Sequence, residues 1–119
     1  MPDAKTVSLI LGSGGARGLA HIGVIAELEE RGHEIRSIVG CSMGALIGGL
    51  YAAGKLPDFE SWVTGLSKWD VLRFLDISLT NRSGMMKGDL IMDELRSLVG
   101  ERKIEALPLR FTAVATDLT

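Results

Sequence analysis

Residues 38–46 read Ile-Val-Gly-Cys-Ser-Met-Gly-Ala-Leu, and that order leaves the chain little conformational choice. The β-branched pair Ile38 and Val39 favours a strand, and the small and apolar residues after Gly44 favour a helix. Between them, Gly40-Cys41-Ser42-Met43-Gly44 must turn the backbone sharply, with Ser42 at the apex. Glycines flanking the serine at two-residue spacing suit such a turn, because strand and helix nearly touch and a Cβ at either place would collide. A serine held on a strained strand-to-helix turn projects its hydroxyl above the sheet, an arrangement known as a nucleophile elbow. With 15 Gly in 119 residues, Gly-x-Ser-x-Gly also arises by chance, so the competing reading is a plain glycine-rich turn. The strand and helix signals on either side favour the elbow.

Around this stretch the chain reads as alternating strands and helices. Residues 6–11 form a short, apolar, β-rich run that stops at Gly12-Ser13-Gly14-Gly15-Ala16-Arg17-Gly18. Leu19, Ile22, Ile25 and Leu28 then recur at helical spacing, and Gly32 suits the left-handed C-terminal cap. Residues 35–39 supply a second strand. Strand, glycine loop, helix and strand make a βαβ unit, so the two strands are expected to be parallel. The helix from Met43 to about Ala53 is almost nonpolar and is expected to lie buried against the sheet.

Further on, Asp58 is expected to cap a helix that puts Phe59, Trp62, Val63, Leu66 and Trp69 on one face, both tryptophans serving as core anchors. Residues 71–79 have no firm assignment, and 81–84 read as a turn. Asp89 is expected to cap a helix ending at Gly100, and residues 110–115 to form a third strand. The fold class is therefore α/β with a mainly parallel sheet.

Composition excludes several function classes. A formal net charge of -2, with no basic stripe, predicts no nucleic-acid partner. One cysteine cannot form an internal disulfide, which suits a reducing compartment. The N-terminal apolar run is too short for a signal-peptide core, and 41–54 is too short to span a bilayer. A soluble, cytoplasmic chain is expected, with peripheral contact to a membrane left open.

The first glycine loop departs from a dinucleotide fingerprint. Arg17 stands where the third glycine belongs, Gly18 comes one residue late, and no acidic residue ends the second strand. Nor does a Gly-Lys-Ser/Thr phosphate loop occur. In a parallel sheet, loops leaving the carboxyl ends of adjacent strands share one edge, where ligands bind. Gly14, Gly15 and Ala16 are thus expected beside Ser42, with backbone N–H groups suited to the oxyanion of a tetrahedral acyl intermediate.

Residues 11–24, Leu-Gly-Ser-Gly-Gly-Ala-Arg-Gly-Leu-Ala-His-Ile-Gly-Val, and residues 40–52, Gly-Cys-Ser-Met-Gly-Ala-Leu-Ile-Gly-Gly-Leu-Tyr-Ala, resemble the patatin-like phospholipase family. The resemblance is nearest to its bacterial branch related to neuropathy target esterase. Residues 83–88 and 111–118 are similar to the family as well, so the likeness runs over nearly the whole chain. It implies a three-layer α/β/α domain with a mainly parallel central sheet. It implies Ser42 as acyl nucleophile within the elbow Gly40, Cys41, Met43 and Gly44. Gly14, Gly15 and Ala16 would be oxyanion donors, and Arg17 an orienting or headgroup-binding residue. The implied substrate is a lipid or acyl ester, and no cofactor or metal is implied. Ser13 departs from the family's usual glycine, a weak point if positive φ is demanded there.

The family pairs its serine with an aspartate in a downstream Asp-Gly-Gly/Ala motif, and no Asp-Gly occurs in these 119 residues. The chain thus reads as the N-terminal part of a longer family domain, residues 1–119, with the dyad aspartate not in this chain. Asp117 is a weak candidate for the base; a structural role is the stronger reading. His21 reads as a packed, hydrogen-bonded residue, His33 as a solvated one, and Cys41 as buried filler.

Three rival readings remain open. A malonyl-transfer type acyltransferase characteristically has histidine before the serine, where Cys41 stands. A triad α/β-hydrolase needs a late histidine, and the chain has only His21 and His33. A lipid-binding or regulatory module would keep the elbow and lack the acid. A sheet ending near residue 115 is also expected to leave apolar surface uncovered, and the chain to self-associate.

Overall fold

A computed structural model describes residues 5–72 and 85–118. Its elements are β1 (Thr6–Leu11), a 3-10 turn (Gly15–Leu19), α1 (Ala20–Glu30), β2 (Glu34–Cys41) and α2 (Met43–Ala52). They continue with α3 (Leu56–Thr64), α4 (Lys68–Leu72), α5 (Met85–Val99), a second 3-10 turn (Ile104–Ala106) and β3 (Arg110–Val114). The sheet has the order β1-β2-β3 and is parallel at both pairings. Leu11 pairs with Gly40, and Gly40 in turn with Ala113, so all three strands end along one edge. This is the expected α/β class with a parallel sheet.

The strands divide their side chains cleanly. Leu11, Ile38 and Phe111 point toward α2, because a Cβ placed on Gly48 would meet all three. Ser8 and Ser37 point the other way, and the Ser37 hydroxyl donates to Ser8 Oγ at 2.8 Å. Two successive right-handed crossovers in the same direction put their helices on one face of a sheet. Accordingly Ile25 of α1, Ile47 of α2 and Phe59 of α3 share a single core with Leu11 and Ile38. The described residues thus form one helical layer on one sheet face. The second helical layer implied by a three-layer domain is not among them. Tyr51 links α2 to α1 by donating to Glu29 at 3.2 Å, and burial, then the Glu29 charge and hydrogen bond, push its phenol pKa up.

Three local expectations are corrected. The helix over residues 57–69 is two helices, since α3 stops at Thr64 and α4 starts at Lys68. Ser67 caps α4, accepting the Asp70 N–H at 3.1 Å and donating to the Asp70 carboxylate at 2.8 Å. That break rotates Trp69 off the buried face, leaving it 81% exposed, while Trp62 stays half-buried beside Phe59. Asp58 lies inside the first turn of α3 rather than capping it, because Pro57 takes an early position where no N–H is needed. Asp89 lies within α5, which already begins at Met85. The 81–84 turn and residues 73–79 lie outside the described residues. Among the described residues no helix is long and apolar enough to cross a membrane.

Candidate active site

The elbow stands where the sequence puts it. Ser42 has φ 54 and ψ -122, and among the described residues it is the only non-glycine with positive φ. The chain leaves β2 at Cys41, turns at Ser42 and enters α2 at Met43. Ser42 occupies the N-cap position, and its carbonyl accepts hydrogen bonds from Ala45 N–H at 2.9 Å and Leu46 N–H at 3.1 Å. A serine there ordinarily spends its hydroxyl on the helix's first N–H groups. Here the side chain makes no capping hydrogen bond, because the inverted backbone carries it away from the helix axis, and the residue is exposed.

The flanking glycines are held by contact with backbone. A Cβ on Gly40 would collide with the Gly44 carbonyl and lie 2.6 Å from Ala45 Cα. One on Gly44 would collide with the Leu11 and Gly12 carbonyl oxygens and lie 2.6 Å from Leu11 C. The second contact is informative beyond the elbow itself: it seats α2 directly on the end of β1, where the first glycine loop starts.

That loop lies beside the elbow. Gly14 (φ 127) and Gly15 (φ 56) adopt left-handed conformations that side chains resist, and the chain then enters the 3-10 turn. The Gly14 carbonyl accepts the Arg17 N–H at 3.0 Å, closing the turn, while the Arg17 side chain is exposed. His21 Nε2 donates to the Gly12 carbonyl at 2.8 Å and ties α1 to the start of the loop, as a hydrogen-bonded rather than catalytic histidine would. Ser13 keeps negative φ, so the departure from glycine there costs no backbone strain.

The sequence reading missed Gly18. A Cβ at this position would lie 2.7 Å from Met43 Cβ, so Gly18 lets the turn press against the residue after the serine. The available signal was a second glycine four residues past Gly14, in a loop judged only against a dinucleotide fingerprint.

Two other expectations change. Cys41 is exposed rather than buried, because strand alternation puts it on the sheet face opposite α2, where Ser13 Oγ donates to its sulfur at 3.7 Å. His33 accepts the Lys5 N–H at 3.1 Å on Nδ1, so it joins the start of β1 to the start of β2. Asp117 is exposed and lies three residues beyond β3, whose final residue Val114 pairs with Cys41. It therefore follows the same strand edge as Ser42.

The patatin-like phospholipase family model matches residues 9–119. An NTE family protein of Mycobacterium tuberculosis is 52% identical over 116 residues, covering 98% of this chain and 32% of that protein. A patatin-like phospholipase domain-containing protein of Caenorhabditis elegans is 38% identical over 123 residues, covering 97% of this chain and 9% of that protein. The neuropathy target esterase of Drosophila willistoni is 32% identical over 120 residues, covering 97% of this chain and 8% of that protein. The chain therefore spans about a third of the mycobacterial relative and under a tenth of the animal ones.

Proposed function

Because the chain belongs to the patatin-like phospholipase family, we propose that it carries the nucleophile and oxyanion portion of a serine acyl hydrolase acting on lipid esters. Ser42 Oγ attacks the ester carbonyl carbon, and an aspartate accepts the serine proton. The carbonyl oxygen becomes an oxyanion held by N–H groups of the Gly14-Gly15-Ala16 loop, and Arg17 at its end contacts or orients an anionic headgroup. The C–O bond of the ester breaks, the alcohol leaves with a proton, and water then releases the acyl group from Ser42. The observation that carries this reading is the Ser42 conformation: strained backbone, exposed side chain, and a hydroxyl that makes no capping hydrogen bond. Peripheral contact with a lipid surface belongs to the same proposal, as the route by which such a substrate is reached.

A second reading rests on a specific absence. No Asp-Gly occurs in the sequence, and Asp117 is the sole aspartate with a case on position, so the chain by itself is also read as a lipid-binding or regulatory module lacking the dyad acid. Treatment with a fluorophosphonate, followed by intact-mass measurement, separates the two. The hydrolase reading expects a single adduct that disappears in Ser42→Ala. A folded protein that takes up no adduct has an elbow without a working base, and the hydrolase reading then belongs only to a longer parent.

A further inference from the structure

The loop after β1 is built from residues that do not hold their own shape. Gly14 and Gly15 sit at positive φ, and glycine populates positive and negative φ about equally, so neither residue resists leaving its conformation. Sheet pairing gives no support either, because Leu11 is the last β1 residue in the ladder with β2. Several contacts fix the loop instead, and they differ in strength. At its far end the Arg17 N–H closes a turn on the Gly14 carbonyl at 3.0 Å. On one side the Ser13 hydroxyl donates to Cys41 Sγ at 3.7 Å, a weak acceptor. The Ser13 carbonyl faces Gly18, where an added Cβ would come within 3.3 Å. At its start, His21 Nε2 donates to the Gly12 carbonyl at 2.8 Å, the shortest of these hydrogen bonds.

That carbonyl is a junction. It is the same oxygen that a Cβ on Gly44 would strike, so it stands between α1 and the first turn of α2. The peptide linking Gly12 to Ser13 is planar and trans. Fixing its C=O therefore fixes the Ser13 N–H on the opposite side, and with it the direction in which the chain enters Gly14 and Gly15. His21 can make this bond because it lies in the first turn of α1, where Cα–Cβ bonds tilt back toward the helix start and so toward the loop. A carbonyl only accepts, so the contact also puts the ring proton on Nε2.

We infer that His21 is the positioning residue of the proposed oxyanion hole: by holding the Gly12 carbonyl, it keeps the Gly14 and Gly15 N–H groups aligned on the oxygen of the ester attacked by Ser42. It acts through the loop and not on the reacting atoms. The inference rests on the hydrolase reading, and deepens it by naming what holds the donors of that site in register. An oxyanion forms only as the reaction proceeds, so loss of this bond slows the chemical step and leaves binding unchanged.

Two substitutions test this. His21→Leu keeps bulk and removes the donor, whereas His21→Gln restores an N–H close to where Nε2 stands. Time courses of fluorophosphonate labelling at several reagent concentrations, read by intact mass, give the maximal rate and the half-saturating concentration separately. In His21→Leu the maximal rate is expected to fall about tenfold, the scale of one net hydrogen bond, with half-saturation unchanged. His21→Gln is expected to recover most of the lost rate. The loop is also read without any chemistry at Ser42, by brief trypsin digestion of the folded chain. Cleavage after the exposed Arg17 is expected to quicken about tenfold in His21→Leu and to return toward the starting rate in His21→Gln. Cleavage after the exposed Lys103, next to Arg102 at the far end of α2, is expected to stay constant.

A His21→Leu chain that labels as fast as the unsubstituted one overturns the inference and leaves the hydrolase reading intact, as does a change confined to half-saturation. A loss of rate that His21→Gln shares, with cleavage raised equally after Arg17 and Lys103, also overturns it, because His21 then supports the whole fold. An unsubstituted chain that takes up no label defeats the hydrolase reading for this chain, and the digestion then decides alone. A rise confined to Arg17 and reversed in His21→Gln keeps His21 as the holder of the loop; absence of that rise overturns the inference.

Discussion

Ser42 holds a backbone conformation that only glycine adopts without cost, and the surrounding contacts keep it there. Conformations of this kind store on the order of 1–3 kcal/mol per residue, offset by the rest of the fold. The strain can be read directly by comparing two substitutions that both remove the hydroxyl. Ser42→Ala keeps a Cβ and keeps the strain, whereas Ser42→Gly relieves it. In urea denaturation, Ser42→Gly is expected to be more stable than Ser42→Ala by about 1 kcal/mol, while neither takes up a fluorophosphonate. Equal stability of the two variants, or a lower value for glycine, would mean that the elbow is relaxed and that the argument from strain is wrong.

At the scale of elements, close approach decides which glycines matter. Gly44 faces the backbone of Leu11 and Gly12, which cannot move aside without separating α2 from β1. Gly44→Ala is therefore expected to cost about 3 kcal/mol or more. Gly23 stands in α1 with nothing near its missing Cβ, so Gly23→Ala is expected to gain about 0.8–1 kcal/mol from helix propensity alone. Thermal melts of the two variants should move in opposite directions; a shared direction would refute the packing argument. The same distinction explains what was legible in the sequence. The β2–elbow–α2 unit could be read because its determinants lie within nine consecutive residues, 38–46. The approach of Gly18 to Met43 could not, since it joins segments from two different loops and leaves no periodic trace. The tryptophan face failed for another reason: helical spacing carries through Gly65 and Ser67 on paper, but the Ser67 cap starts a new helix with its own phase. Cys41 was misplaced because the residue before an apex looks like packing, whereas strand alternation sends it to the other sheet face.

At the scale of the whole molecule, the described residues form a parallel sheet covered by helices on one face, and parallel sheets are ordinarily covered on both. On the open face, Ile10 is 80% exposed and Val114 is 49% exposed, on the two outer strands, with half-buried Val39 between them. The outer strands β1 and β3 also leave their own outward backbone edges without a sheet neighbour among the described residues. Apolar surface of this kind gains free energy by leaving water, and the gain grows with protein concentration when the cover is a second molecule. The chain alone is accordingly proposed to self-associate through this face. Ile10→Lys tests the idea with little risk to the core, because so exposed a side chain contributes little buried area to the fold. In sedimentation velocity, the parent chain is expected to move toward larger species as concentration rises, and Ile10→Lys to remain near the monomer under the same conditions. A parent that stays monomeric throughout would mean the open face is tolerated by water. A variant that associates as strongly as the parent would move the contact to the strand edges, where backbone pairing rather than apolar burial drives it.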